Sequence, residues 1–353
     1  MIKFIRFIFF PLLMLLIPVY FFVFCIIMFI NKKAQKRFNN LKIVCVGNHT
    51  LGGSGKTEIV KKIAQDLKEL SKPVAIITRG YKGKTKNEPF FLSLKENHDN
   101  RLVKIIGDEA YMLYDKLKVP IVICKNRKKS LEFISKEFSS CIVISDDGYQ
   151  NFSFFKDVNI LVINLVDFKK FQFLFPSGNL REPFSLALKR ANYVVLNHRK
   201  FVSEKIVDKI KKKIKKINKK VLFITTDYKI NSFVNIYSKK RFSLVEFLSL
   251  YNRIILCCGI GNPLILKRML EIEGFDIEKK FIYPDHYWYK LKNINKLAKN
   301  FKLPVVVTYK DAVKLLYYLG KISKVFLEKF YYIDIELEIV EGKDIWKNII
   351  NTL

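Results

Sequence analysis

L-K-I-V-C-V-G-N-H-T-L-G-G-S-G-K-T, residues 41–57, is an apolar strand pattern that runs into a glycine-rich turn and then opens a helical pattern. Strand, turn and helix in that order form the setting a phosphate cradle needs. Backbone N–H groups around Gly52, Gly53 and Gly55 can point at phosphate oxygens, Lys56 can reach the β and γ phosphates, and the Thr57 hydroxyl can bind Mg²⁺. The helix aims its positive dipole end at the same anion. The stretch predicts a triphosphate site built from Thr50, Leu51, Gly52, Gly53, Ser54, Gly55, Lys56 and Thr57. Thr50 stands where the usual G-x-x-x-x-G-K-[ST] pattern has its first glycine.

The composition suits a chain that meets both lipid and phosphate. At 353 residues and 50% hydrophobic content it can bury real cores, and its length suggests about two domains beyond any membrane segment. The net charge of +32 implies anionic partners, a sign that nucleic acid, anionic lipid headgroups and phosphorylated substrates all fit. The lysine run at 210–220 reads as a solvated helix face. From Phe7 to Ile30 no residue is charged, and as a helix this stretch would extend about 36 Å, enough to cross a bilayer core. Pro11 and Pro18 would kink it. Lys32, Lys33, Lys36 and Arg37 outweigh Lys3 and Arg6 on the other flank, which predicts an anchor with the C-terminal part in the cytoplasm, where ATP is. The run is longer than a signal-peptide core, and no small-x-small cleavage site follows it. The 6 cysteines form no C-x-x-C pair, and with 4 histidines a zinc site has little to draw on.

After the anchor, strands and helices alternate, which predicts an α/β protein with largely parallel sheets. The first block reads as strands at 41–47, 73–78, 120–124, 141–146 and 159–164, with helices at 56–70, 108–118 and 127–138. A long polar loop at 79–100 suggests a binding role. A lysine-rich helix near 203–218 and short strands near 221–237 mark a transition between lobes. A second alternation follows, with strands at 253–258, 278–283 and 304–308, helices at 263–273, 290–299 and 311–319, then further strands and a last helix.

C-I-V-I-S-D-D-G at 141–148 is an apolar strand ending in two carboxylates, where a nucleotide-binding sheet places its metal-facing aspartate, so Asp146 and Asp147 are candidates to hold Mg²⁺ beside Thr57. G-D-E at 107–109 puts Asp108 and Glu109 at a helix start, where helix capping is by itself the stronger reading. Y-P-D-H-Y at 283–287 sets His286 beside Asp285. A nucleic-acid motor is disfavoured by the apolar segment and by the absence of a recognisable nucleic-acid module, and a GTPase switch by the absence of N-K-x-D.

Together these residues resemble one family, the tetraacyldisaccharide 4′-kinases of lipid A biosynthesis. The resemblance rests on V-G-N-H-T-L-G-G-S-G-K-T at 46–57, T-R-G-Y at 78–81, G-D-E at 107–109, D-D-G-Y-Q at 146–150 and P-S-G-N-L-R-E-P at 176–183. It continues through L-K-R-A-N-Y-V-V-L-N at 188–197, G-I-G-N-P at 259–263, P-D-H-Y at 284–287 and T-Y-K-D-A-V-K-L at 308–315. It implies a P-loop NTPase-like α/β fold of two α/β/α lobes joined by a short β-stranded hinge. The expected division is an anchor with its basic flank at 1–37, a kinase lobe at 38–225 and a second lobe at 226–353 closing over the nucleotide. The implied enzyme sits in a bacterial inner membrane with its lobes on the cytoplasmic face. It moves the γ-phosphoryl group of ATP to the 4′-hydroxyl of an acylated glucosamine disaccharide 1-phosphate, with no nucleic acid and no obligate protein partner. Asp108 matches the family's catalytic base and His286 the histidine paired with it, beside Lys56. Glu109 joins Thr57, Asp146 and Asp147 as a metal candidate, and Arg79, Arg127, Gln150 and Arg181 as substrate or phosphate contacts. Thr50 is normal in this family.

Three places depart from the family pattern. Asn151, Phe152, Ser153 and Phe154 stand where histidine and basic residues usually follow the D-D-G turn. Asn126 replaces an aspartate before Arg127, and Tyr309 replaces an acid before Lys310.

Overall fold

The computed structural model describes residues 10–85, 88–93, 100–168, 173–294, 302–318, 320–322 and 324–353. β1 (Leu41–Gly47) lies between β5 (Cys141–Asp146) and β6 (Val158–Asn164), all parallel, because each is apolar and buried along nearly its whole length and so needs cover on both faces. β2 (Val74–Thr78) and β4 (Ile121–Ile123) extend one side, with β3 (Phe90–Leu92) antiparallel at the edge; β7 (Tyr193–Asn197) and β8 (Leu222–Asn235) extend the other. β10 (Arg253–Cys258), β11 (Asp276–Ile282), β12 (Val305–Thr308) and β13 (Phe330–Glu341) form a second parallel group. β9 (Arg241–Phe242) pairs only with β8. The helix Lys56–Glu69 covers β1 and β5 with Ile59, Val60, Ile63, Ala64 and Leu67, all fully buried.

The expectation was largely parallel sheets in two lobes joined by a β-stranded hinge, and the described strands run through that joint as one sheet of 13 strands. The joint is the antiparallel pairing of β13 with β8, from Tyr331↔Asn235 to Glu341↔Thr225. The first part of β8, Leu222–Thr226, pairs with β7, and the first part of β13, Phe330–Ile333, pairs with β12. Each group thus grips opposite ends of one long ribbon and runs in the opposite sense. Their C-terminal edges consequently face each other across a cleft, and it is at C-terminal edges that open α/β sheets bind ligands.

The short strands expected near 221–237 are a single 14-residue strand, because a ribbon that bonds both groups has to span both. The strands expected near the C-terminus are likewise one, β13. β3, β7 and the helices Leu102–Ile106 and Phe184–Arg190 add to the expected set. Part of the helix expected at 290–299 and parts of the loop at 79–100 lie outside the described residues.

Phe10–Lys33 is helical with mean hydropathy 2.9 and is interrupted at Leu16, ahead of Pro18, whose missing N–H is tolerated at the start of the following helix Ile17–Lys33. The helix lies along the body: Phe10 meets Phe173 at 5.6 Å between ring centroids, Tyr20 meets Phe175 at 5.5 Å and Phe24 meets Phe152 at 6.0 Å. The Tyr20 hydroxyl donates to the Arg181 carbonyl at 2.7 Å, and the Gln35 amide to the Phe154 carbonyl at 2.9 Å. Leu12, Leu15, Val19, Phe22, Phe29 and Ile30 remain exposed. Of the 6 cysteines, all free, only Cys25 in this helix is not buried.

Gly47, at the end of β1, has no room for a side chain. A Cβ there would lie 2.4 Å from Cβ of Tyr149. Gly47→Ala should cost about 1–3 kcal/mol of stability by overpacking, read as a lower urea midpoint at unchanged m-value.

Candidate active site

The loop Thr50–Thr57 is clamped from both sides. Gly55 has φ of 84°, a left-handed conformation, and a Cβ on it would lie 2.1 Å from the Tyr228 hydroxyl and 2.2 Å from Asn197 Nδ2, so only glycine fits. Asn197 Nδ2 donates to the Ser54 carbonyl at 3.1 Å. On the other side Leu51 N donates to Asn179 O at 2.6 Å and Arg181 N to His49 O at 2.8 Å. Lys56 Nζ donates to Asn48 Oδ1 at 3.1 Å and lies 3.5 Å from Asp147 Oδ1. Leu51 to Thr57 line an open cleft of about 1470 Å³. Thr50 instead bridges to Leu180.

The parallel pairing of β1 with β5 sets Val46 opposite Asp146 and so brings the Asp-Asp turn beside the loop. Asp146 is buried, and its Oδ1 has no hydrogen-bond partner. Burial, then repulsion from Glu109 and Asp147, push its carboxyl up to about 7 against the pull of Lys56 and Arg127. Asp147 behaves oppositely: burial would raise its pKa, but Lys56 and Arg181 outweigh that and hold it low. An orphaned buried carboxylate oxygen among like charges fits a divalent cation. Among the described residues no group of three or more His, Cys, Asp or Glu side chains is arranged to hold a metal alone. A Mg²⁺ ion here would therefore be shared with phosphate oxygens, its usual manner of binding.

Arg181 Nη1 bonds Asp147 Oδ1 at 2.8 Å, and Gln150 Nε2 bonds the Asn48 carbonyl at 2.7 Å and Glu182 Oε1 at 2.9 Å. Glu182 is fully buried and takes two bonds from Arg190, at 2.8 and 2.7 Å. Arg127 is buried and donates to the carbonyls of Asp146, at 2.7 Å, and Cys124, at 3.2 Å, so in this state it braces the end of β5. Arg79 is exposed on the cleft wall.

Opposite the loop, Asp108 opens the helix Asp108–Leu117 after Gly107, whose φ is 89°. His286 has φ of 58°, rare for a non-glycine, held by its N–H bond to Asp285 Oδ1 at 2.9 Å. Its Nδ1 lies 2.9 and 3.2 Å from the two oxygens of Asp108, joining residues 178 positions apart. Burial would raise the pKa of Asp108, but the His286 hydrogen bond and the charges of Lys310, His286 and Lys314 bring it down to about 2. Lys310 Nζ reaches Glu109 Oε1 at 2.9 Å, Asp285 Oδ1 at 3.0 Å and His286 Nε2 at 3.2 Å. Buried Lys314 lies 2.9 Å from Asp311 Oδ1 and 3.7 Å from Asp108 Oδ2. These two lysines were not among the expected site residues. Their spacing of four on the helix Tyr309–Leu316, beside an aspartate, was the available signal, since it sets both on one face.

The departures have local accounts. Asn126 caps the helix Arg127–Glu137 by accepting from Lys128 N and Lys129 N, as an aspartate would. The Tyr309 hydroxyl donates to Asp115 across the cleft, with Lys116 over its ring at 4.5 Å. Phe152 is sandwiched between Phe24 and the Arg190 guanidinium, 4.9 Å from its ring centroid.

A family model described as tetraacyldisaccharide-1-P 4′-kinase, LpxK, matches residues 11–353. A tetraacyldisaccharide 4′-kinase of Francisella tularensis subsp. novicida is 31% identical over 315 residues, covering 88% of this chain and 89% of the relative, as is that of Francisella tularensis subsp. tularensis. The crystal structure of "apo" form LpxK from Aquifex aeolicus in complex with ATP shares the fold, with a TM-score of 0.70 over 98% of each chain at 23% identity. Matched along nearly its whole length by one family, the protein belongs to the tetraacyldisaccharide-1-P 4′-kinases.

Proposed function

We infer that the protein transfers the γ-phosphoryl group of ATP to the 4′-hydroxyl of a tetraacylated glucosamine disaccharide 1-phosphate, a step of lipid A synthesis. The observation that carries this reading is the single cleft in which the Lys56 loop faces the Asp108–His286 pair, with the apolar helix at its side through Tyr20, Phe24 and Ile27. A triphosphate fits the cradle of backbone N–H groups at the start of the helix Lys56–Glu69. Lys56, with Arg79 and Arg181 nearby, offsets charge on the transferring group, while Arg127 and Gln150 hold the strand ends that present the carboxylates. Thr57, Asp146, Asp147 and Glu109 would hold Mg²⁺, which neutralises phosphate charge when bound. Asp108 and His286 form the pair that takes the proton from the sugar hydroxyl.

The same reading places the lobes on the cytoplasmic face of a bacterial inner membrane. The exposed apolar side of the helix suits lipid, and Lys32, Lys33, Lys36 and Arg37 suit anionic headgroups. It keeps the division into 1–37, 38–225 and 226–353, with the β8–β13 ribbon as the connection between lobes. The test of function is incubation with ATP, Mg²⁺ and the disaccharide-1-phosphate lipid: a product heavier by one phosphoryl group is expected, and its absence rejects the reading.

Two variants probe its parts. Lys56→Ala should lower turnover by at least about a hundredfold, with an unchanged circular dichroism spectrum, because the loop loses its cation at the migrating charge. Removal of residues 1–33 should sharply reduce flotation with anionic vesicles while leaving nucleotide binding measurable by calorimetry. Undiminished flotation of the truncated chain at high salt would place the membrane-binding surface on the lobes.

A further inference from the structure

We propose that Tyr20 is a positioning residue for phosphoryl transfer: its hydroxyl, carried by the apolar helix, fixes Arg181 and through Arg181 the carboxylate of Asp147, so that seating of the helix sets the geometry of the nucleotide site. The proposal rests on the kinase reading and gives the helix a part in catalysis beyond anchoring.

Ile17, Tyr20, Phe24, Met28 and Asn31 follow one another at spacings of three and four, which puts them on one face of the helix. All are half-buried, whereas Val19, Phe22, Phe29 and Ile30 between them are exposed. Tyr20 carries the one side-chain hydroxyl between Phe7 and Ile30. A tyrosine whose ring is covered by an apolar neighbour, here Phe175, has to bring its hydroxyl to a polar partner. Any free carbonyl along the body would serve that need. The one it bonds, Arg181 O at 2.7 Å, belongs to a residue on which two parts of the site depend.

Arg181 N donates to the His49 carbonyl at 2.8 Å, at the entry to the glycine-rich loop, and the neighbouring Leu180 bridges to Thr50 within it. The Arg181 guanidinium bonds Asp147 Oδ1 at 2.8 Å and Gln150 Oε1 at 3.3 Å. One residue thus takes the helix on its carbonyl, the loop on its N–H and the carboxylate turn on its side chain.

The chain leaving the helix grips the same turn from its other end. Gln35 Nε2 donates to the Phe154 carbonyl at 2.9 Å, Lys36 N to Ser153 O at 3.1 Å and Phe155 N to Lys36 O at 2.9 Å. Asp147 therefore lies between two attachments of the helix segment. It needs the support, because its φ of 50° is left-handed and uncommon for a residue with a side chain. A helix drawn away from the body withdraws the Tyr20 hydroxyl and frees the Arg181 backbone. The guanidinium then no longer aims Asp147 at the position it holds 3.5 Å from Lys56.

The test uses the full-length protein, and Tyr20→Phe, which keeps the ring and the apolar face. Flotation with phosphatidylglycerol vesicles should be unchanged, while kcat at saturating ATP and lipid substrate falls about three- to tenfold, the range one hydrogen bond carries. Calorimetry, which needs no turnover, should show binding of ATP with Mg²⁺ weakened at least about twofold, and binding of ATP in EDTA unchanged. In an Arg181→Ala background the further loss of kcat from Tyr20→Phe should be under about twofold, since the link it acts through is gone. Parent-like kcat and Mg²⁺–ATP binding in Tyr20→Phe would overturn the proposal and leave the helix an anchor, as would a loss confined to flotation. A full further loss in the Arg181→Ala background would overturn the route through Arg181. A parent protein that binds Mg²⁺–ATP and makes no phosphorylated lipid would remove the kinase reading, and the calorimetry would still decide the link from Tyr20 to Asp147.

Discussion

The pairing of β13 with β8 is the constraint on which the rest of this structure depends. Open α/β sheets bind ligands at the C-terminal edges of their strands. Antiparallel pairing along a long ribbon turns the second group of strands so that two such edges face each other. The glycine-rich loop and the Asp-Asp turn come from one edge, and the Gly259–Pro263, Pro284–Tyr287 and Thr308–Lys310 segments come from the other. Contacts across the gap, such as Lys116 with Asp334 at 2.9 Å and Asn262 with Asp167 at 3.1 Å, hold them at working distance.

Charge is distributed to suit that gap. The chain carries 64 basic against 32 acidic residues, yet Asp108, Glu109, Asp146, Asp147 and Asp285 converge in or directly behind one cleft. Like charges at that density are tolerated because Lys56, Arg181, Lys310 and Lys314 are interleaved with them. The carboxylate with least compensation, Asp146, is the one pushed upward in pKa and left with an orphan oxygen, the condition a bound cation relieves.

The apolar helix is part of this assembly rather than a detached tether. Tyr20 bonds the carbonyl of Arg181, whose backbone N–H bonds the His49 carbonyl at the entry to the glycine-rich loop and whose side chain bonds Asp147. The phenylalanine at 152, a departure from the basic residues usual after the D-D-G turn, finds its reason here: it packs between this helix and Arg190.

The glycine-rich loop, the strand-end carboxylates and the apolar helix were legible in the sequence because each is local. Their meaning lies in residues a few positions apart, where glycine conformation, hydropathic run length and strand period speak directly. Most strands and helices were legible for the same reason, down to within a few residues of their ends. The single sheet was not, because whether a polar-edged strand such as β8 ends one sheet or continues into another depends on a partner, β13, about a hundred residues away. Nor was the arrangement around His286. Family resemblance paired it with Asp108, but which ring nitrogen meets the carboxylate, which faces the cleft and which lysine waits there are matters of rotamer and packing between two groups of strands. Side-chain direction of that kind is decided only when the chain closes on itself.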